Sequence, residues 1–451
     1  VTERGPVAPS TVTAMADVWP AGAAWGEALS IAGVDCRDLA AEFGTPLYVL
    51  DEADARTRAR AFYEAYTAAG AHLVSYAAKA LCATAVLRWV TEEGLGVDVA
   101  TGGELAVALR AGVPGDRLLM HGNNKSVAEI EAAIAAGVGH IVIDSFEEIV
   151  RVADAALRAD VVQPVLIRVT TGIEAHTHEF ISTAHEDQKF GLSVASGDAE
   201  EAARRIVKLP SLRLDGLHSH IGSQIFDARG FEAAAQRVVA LAIRIRDEQG
   251  VELAEFNLGG GMGIAYLADD DPLDVTDMAA QIGDIVGKQC ADAGLAMPQL
   301  AFEPGRAIIG PAGVTLYEVG TVKPVTLDDG SVRTYVSVDG GMSDNIRTAL
   351  YDAQYTVALA SRESKAEPIQ VRVVGKHCES GDIVVRDAML PGDITAGDLV
   401  AVAATGAYCR SMASNYNWVP RPAVVSVHDG ESSVVMRRET IGDLLALDAG
   451  V

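Results

Sequence analysis

From Leu73 onward, short apolar runs alternate with alanine-rich stretches of helical spacing. The apolar runs lie at Leu73–Ala78, Gly96–Ala100, Arg117–His121, His140–Asp144, Pro164–Val169, Leu214–His220, Glu255–Leu258 and Leu300–Glu303. Most are separated by helix-like segments: Thr84–Glu93, Gly103–Ala111, Val127–Ala136, Phe146–Leu157, Ala199–Val207, Arg229–Gln249 and Val275–Ala293. Near-continuous apolar runs are the mark of strands buried on both faces, and strands alternating with helices imply right-handed crossovers and a parallel sheet. Eight such units predict a closed (β/α)8 barrel. Before it, Thr45–Leu50 reads as a strand, and Asp51 caps a helix running to about Ala69. The stretch Gly172–Lys189, with His176, His178 and His185, reads as a long functional loop at the barrel mouth.

Beyond Arg306 the texture changes. Short segments rich in β-branched residues, Val314–Val325, Thr334–Val338, Tyr355–Ala360, Ile369–Val374, Asp382–Arg386, Asp398–Ala403 and Pro422–Val425, are separated by glycine, proline and aspartate. This predicts a C-terminal antiparallel β-domain, with a final helix over Glu439–Asp448. The organisation expected is an N-terminal segment over 1–45, a barrel over 46–309 and a β-domain over 310–451.

Charge narrows the class of partner. The 451 residues carry a formal net charge of -26. That argues against nucleic acid, which calls for a basic surface, and against simple attraction to anionic membranes. No apolar run reaches a membrane span of about 18 residues, and the first residues do not read as a signal peptide. The five cysteines, Cys36, Cys82, Cys290, Cys378 and Cys409, are scattered without metal-finger spacing. A reduced, cytoplasmic protein is the simplest expectation, with no metal.

In such a barrel, chemistry sits at the C-terminal ends of the strands. The first strand ends at Lys79, in the run Ser75-Tyr76-Ala77-Ala78-Lys79-Ala80. A lysine there is either a strand-end cation reaching solvent or an amine that attacks an aldehyde and forms a Schiff base. The third strand leads into His121-Gly122-Asn123-Asn124-Lys125, and the sixth into His218-Ser219-His220-Ile221-Gly222-Ser223-Gln224. His218 and His220 share a strand face, which suits a metal pair, two plain polar residues, or one imidazole stacked on an aromatic cofactor. The run Gly259–Gly263 offers backbone N–H groups to an anion, and phosphate sites of such barrels lie after strands seven and eight. Glu303, in Glu303-Pro304-Gly305-Arg306, either pairs with arginine or holds a pyridine nitrogen protonated.

In the β-domain, Arg347 and Tyr351 would share a helical face, and an arginine fork can bind a carboxylate. Lys376-His377-Cys378-Glu379-Ser380 places a thiol beside a carboxylate, a proton donor beside an acceptor for an ammonium. Tyr408 follows another strand, where an aromatic is ordinarily just packed.

Together these residues resemble the pyridoxal-phosphate amino-acid decarboxylases built on an alanine-racemase-like barrel. The match runs from about Thr45 to Val427. It rests on Tyr76–Ala80, His121–Lys125, Gly216–Gln224, Gly259–Gly261, Glu303–Arg306, Cys378–Ser380 and Gly406–Tyr408. The HGNNK and Cys-Glu-Ser runs favour the diaminopimelate branch over decarboxylases of ornithine, arginine or a carboxylated polyamine. Leu81 departs from the asparagine that many relatives carry.

The resemblance implies pyridoxal 5'-phosphate as cofactor. It also implies decarboxylation of meso-2,6-diaminopimelate to L-lysine and CO2, the last step of lysine biosynthesis. Lys79 would hold the cofactor, His220 would stack on it, and Glu303 would pair with its nitrogen. Ser223, Gly260, Gly261 and the turn Glu303-Pro304-Gly305-Arg306 would hold its phosphate, with Tyr408 also at the cofactor. Arg306, Arg347, Tyr351, Glu379 and Tyr408 would bind substrate, and Cys378 would be the proton donor. The family pattern is a homodimer with shared active sites, in which Cys378 and Glu379 come from the partner. A metal-dependent hydrolase using His218 and His220 would bind zinc and give Lys79 and Glu303 no clear part, and the presence of both Lys79 and Cys378 argues against a catalytically silent cofactor-binding protein.

Overall fold

The computed structural model describes residues 18–172 and 189–450. The His176–His185 stretch therefore lies outside the described residues. The chain divides into two compact units. One comprises residues 58–263 and 272–307, the other the chain up to Thr57 with Ile264–Asp271 and Ile308–Val451.

The first unit is a closed barrel of eight parallel strands: β1 (Ala71–Ala77), β2 (Gly96–Val99), β3 (Leu118–Met120), β4 (His140–Ile143), β5 (Gln163–Thr170), β6 (Leu212–Ser219), β7 (Glu255–Asn257) and β8 (Gln299–Phe302). Each pairs in parallel with the next, and β8 returns to β1, with Phe302 opposite Val74. Closure pairs each of the eight strands on both sides and buries most of their positions, which is why the runs read as apolar. Val97, Leu118, Leu119, Ile141, Leu166 and Leu217 are wholly buried, each contributing ~1.5–3 kcal/mol of transfer free energy.

Side-chain caps start several of the outer helices. Thr101 accepts from the backbone of Glu104, and Ser126 and Glu129 form a reciprocal capping box. Such caps fix where each loop ends and its helix begins, at ~1 kcal/mol apiece. The helix Glu52–Ala68 leads into β1, and Asp51 accepts from the Asp54 backbone at 3.0 Å, the cap its sequence predicts.

The second unit is a mixed sheet rather than the purely antiparallel one expected. Gly313–Thr326 is the long central strand, pairing antiparallel with Val332–Val338, Leu399–Val402 and Leu47–Asp51. Two pairs are parallel: Val332–Val338 with Pro368–Val374, and Leu47–Asp51 with Ala423–His428. The parallel pairs arise because strands distant in sequence insert beside one another, which spacing along the chain does not disclose. The edge strand Glu431–Met436 went unread because it has no buried position. The final helix spans only Ile441–Leu445. The core of this unit includes Leu29, Ile31, Leu47, Val49, Val314, Leu316, Ala401 and Val425. Among the described residues no helix is long and apolar enough to cross a membrane.

Candidate active site

At the C-terminal ends of the barrel strands the polar side chains converge on one carboxylate. Glu303, just past β8, is buried. Its Oε1 accepts from His121 Nε2 at 2.8 Å and from Asn257 Nδ2 at 2.9 Å, and its Oε2 lies 3.1 Å from His218 Nε2. The three donors come from the ends of β3, β7 and β6. Burial opposes the charge on Glu303, but the fields and hydrogen bonds of His121 and His218 outweigh it and hold the carboxyl well below the usual range. Glu303 is thus ionised, and the ion pair with Arg306 considered from the sequence does not form. Arg306 Nη2 instead donates to Ser223 Oγ at 2.8 Å.

Asp98, on β2, shows the opposite response in the same neighbourhood. Burial raises its carboxyl to about 6, with His121 and Lys79 opposing that rise and Glu303 adding to it. Two carboxyls at one mouth are thereby driven apart, a pattern of paired acid and base sites.

Burial favours the uncharged form at His218 and His220. Burial lowers His218 to about 4, against the pull of Glu303. His220 is held well below the ordinary imidazole value by burial and by the cations Lys79 and Arg168. Its Nδ1 faces the Gly260 N–H at 3.4 Å. His218 and His220 thus face different partners, one a carboxylate and the other a backbone amide.

Lys79 follows β1 directly and is exposed, two residues beyond Ala77. The apolar run before it is buried, so the chain delivers this one amine to the mouth. Lys125, the other lysine of the motifs, is sealed inside. Its Nζ donates to the Gly122 and Val142 carbonyls and to Glu148 Oε2.

Two loops form a glycine cradle beside Glu303. Gly259 and Gly261 adopt φ of +69° and +105°, values that favour glycine. A Cβ on Gly260 would stand 2.1 Å from the Glu303 carbonyl oxygen, and one on Gly261 would stand 2.3 Å from that of Gly222. The two loops are tied together as well: Ile225 donates to the Gly261 carbonyl and Gly263 donates back to Ile225, both at 2.9 Å. Asn257 Oδ1 accepts from the Gly259 amide at 2.9 Å, so one side chain reaches both the cradle and Glu303. On Gly305, a Cβ would meet Ala77 Cβ at 2.8 Å, so the β8 turn packs tightly on the strand that delivers Lys79.

These features fit pyridoxal phosphate. An exposed amine suits the aldehyde, a buried anion suits a pyridinium, a neutral imidazole suits stacking, and a glycine cradle beside Ser223 suits a phosphate.

The second unit carries the remaining predicted residues. Arg347 is buried, and its Nη1 donates to Tyr266 Oη at 2.9 Å and to Tyr355 Oη. Its guanidinium lies 5.9 Å from the Tyr408 ring centroid, and Tyr408 adopts φ of +66°. Tyr351 does not share this environment. The helix Arg347–Tyr351 is barely one turn long, and Tyr351 remains 62% exposed while Arg347 turns inward. Tyr266 and Tyr355 were not singled out from the sequence, and Tyr266, 81 positions from Arg347, left no local signal there.

Cys378, Glu379 and Ser380 are exposed, on a loop whose neighbours are fixed. His377 Nε2 lies 2.8 Å from Ser343 Oγ, and Asp382 accepts from the His377 and Met342 amides. The thiol is presented outward on a braced loop.

Residues 52–310 match the pyridoxal-binding domain of the pyridoxal-dependent decarboxylases. A diaminopimelate decarboxylase of Mycobacterium bovis is 58% identical over 438 residues, covering 96% of this chain and 98% of the relative. The crystal structure of diaminopimelate decarboxylase from M. jannaschii superposes with a TM-score of 0.88 at 31% identity, covering 96% of this chain and 98% of the other. A second crystal structure of that enzyme, in complex with L-lysine, gives 0.86 at 32% identity, covering 94% and 96%. With its closed barrel, ionised Glu303 and exposed Lys79, this chain belongs to the pyridoxal-dependent decarboxylases, within the diaminopimelate decarboxylase family.

Proposed function

We propose that this chain decarboxylates meso-2,6-diaminopimelate to L-lysine and CO2 with pyridoxal 5'-phosphate, the last step of lysine biosynthesis. The observation that carries this reading is the pairing, at one end of one barrel, of an exposed lysine with a buried carboxylate kept ionised. The relative with L-lysine bound supports the product assignment.

When bound, pyridoxal phosphate supplies an electron sink for the pair released as the Cα–carboxylate bond breaks. The chain supplies the rest. Lys79 would hold the cofactor through its amine. Glu303 offers a negative charge to the ring nitrogen. His220, uncharged, offers a flat face for stacking without competing for the proton. Ser223, Gly260, Gly261, Gly305 and Arg306 would offer hydroxyl, amide and guanidinium donors to the phosphate, and Tyr408 would also help to hold the cofactor.

Arg306 and Arg347 suit the substrate's carboxylates, with Tyr351 and Tyr408 as further contacts, and Glu379 suits its distal ammonium. The Cys378 thiol delivers the proton that replaces the departing carboxylate at Cα. Cys378 and Glu379 act from a partner subunit in this reading, which makes the enzyme a homodimer. Its place is the cytoplasm, a reading supported by cysteines that form no disulfide among the described residues.

Purified protein incubated with pyridoxal phosphate and meso-diaminopimelate is expected to yield L-lysine and CO2 in equal amounts, and to leave ornithine and arginine unchanged. Turnover of ornithine or arginine at a comparable rate would refute the substrate assignment.

A further inference from the structure

Glu303 is met by three side-chain donors, and their placement is specific. His121 and Asn257 share one oxygen, and His218 takes the other. The imidazole rings stand edge to face, with centroids 4.8 Å apart, bracketing the carboxylate. All three donors are buried. We propose that His121, His218 and Asn257 are positioning residues whose hydrogen bonds fix Glu303 as a carboxylate, so that the proton shared with the cofactor stays on the ring nitrogen rather than passing to Glu303.

This rests on the proposed function, in which Glu303 faces that nitrogen. The physical argument concerns which side of one hydrogen bond holds the proton. A buried carboxyl without donors takes up a proton, because burial penalises its charge. A neutral Glu303 would then donate to a neutral pyridine, and the ring would lose its positive charge and most of its capacity as a sink. Three donors reverse that preference by stabilising only the anion.

The surroundings agree. Asp98 on β2 bears on Glu303 as a like charge, whereas His121 and His218 favour its anion; Lys79, Arg168 and Glu303 all act on the His220 imidazole. Of the two carboxyls, the one with three donors is lowered and the other is raised. The His218 Nδ1 atom is buried without a partner, so a neutral His218 has its proton on Nε2, where it faces Glu303. Asn257 adds a link, since its Oδ1 accepts from the Gly259 amide.

The test uses holoenzyme reconstituted with pyridoxal phosphate carrying 15N in the ring. Wild type is expected to show a protonated ring nitrogen across neutral pH. In His218→Leu and Asn257→Leu the signal should move toward the unprotonated position while cofactor stoichiometry holds, and kcat should fall about 10–100-fold, the usual cost of losing an outer hydrogen-bond partner. His218→Gln, which restores a donor, should recover the protonated signal. An unchanged ring signal in folded, loaded Leu variants overturns the proposal.

Should those variants fail to fold, wild-type apoprotein with 13C-labelled glutamate carboxyls decides. The Glu303 signal, assigned by its loss in Glu303→Gln, should stay ionised as pH falls through the normal glutamate range. Titration within or above that range overturns the proposal. Lysine formation by wild type with unmoved ring protonation in the variants would reject the clamp alone; no lysine from wild type would reject the underlying function.

Discussion

Lys125 Nζ lies 3.0 Å from Glu148 Oε2, and neither side chain reaches solvent. The lysine of the HGNNK run is therefore a brace. It ties the end of β3 to the β4 carbonyl of Val142 and to the helix Phe146–Arg158. Burial lowers the lysine and raises the glutamate, each shift opposed by the partner. Lys125→Met strands the Glu148 charge and should cost about 3–5 kcal/mol. Urea unfolding checks this, and Lys125→Met with Glu148→Leu should recover most of the loss. A single variant as stable as wild type would remove the brace.

The same burial directs the cofactor to Lys79. Borohydride reduction of the holoenzyme followed by peptide mapping should place the pyridoxyl group on Lys79. A label on Lys125 or Lys189 would refute the assignment.

Glu303→Gln keeps a hydrogen-bonding side chain but removes the anion. Cofactor content should remain near wild type while kcat drops roughly 10²–10³-fold, the scale seen when a preorganised charge-stabilising group is lost. An essentially unchanged kcat would remove Glu303 from the ring.

Gly261→Ala should weaken cofactor binding. The alanine meets both a φ of +105° and the Gly222 carbonyl, and strain of about 1–3 kcal/mol must be relieved by moving a loop. The expected result is a rise in the cofactor dissociation constant, read by fluorescence titration, with the barrel's far-UV spectrum preserved.

Asp215 gives an acid limb to stability. Burial works against its charge, but the hydrogen bonds of Arg213 and His140 prevail and lower it from 3.8 to about 2. A carboxyl lowered on folding stabilises the fold above its unfolded value, and that stability is lost as pH falls toward 2. Asp215→Asn should therefore flatten the stability profile between pH 4 and 2, measured by thermal unfolding. A profile parallel to wild type there would show that the pair contributes nothing.

If active sites are shared, Lys79→Ala and Cys378→Ala proteins should each be impaired. Mixed after subunit exchange, they should recover up to about a quarter of wild-type activity per site, from counting pairings in a twofold dimer. No recovery after verified exchange would place both residues in one chain's site.

Much of the barrel was legible because each buried strand writes an apolar run, and polar residues gather only where the runs end. Lys79 and Glu303 stood out for that reason. The clamp on Glu303 did not. His121, His218 and Asn257 stand at the ends of three strands, and only closure brings them to one carboxylate. Arg347 was legible as a cation but not as a buried one, since Tyr266 and Tyr355 come from separate segments. Glu431–Met436 was missed because an edge strand with no buried residue carries no alternation to read.

The position of Leu47–Asp51 has a consequence for synthesis on the ribosome. It lies between Gly313–Thr326 and Ala423–His428, and Tyr48 from this strand donates to the Asp344 carbonyl, 296 positions later. The barrel strands all emerge before these two partners, so the barrel can close while Leu47–Asp51 still waits with both edges unpaired. A nascent chain halted before Ala423 would expose an apolar template for aggregation. Truncation from the C-terminus should therefore yield insoluble protein well before it touches any barrel strand.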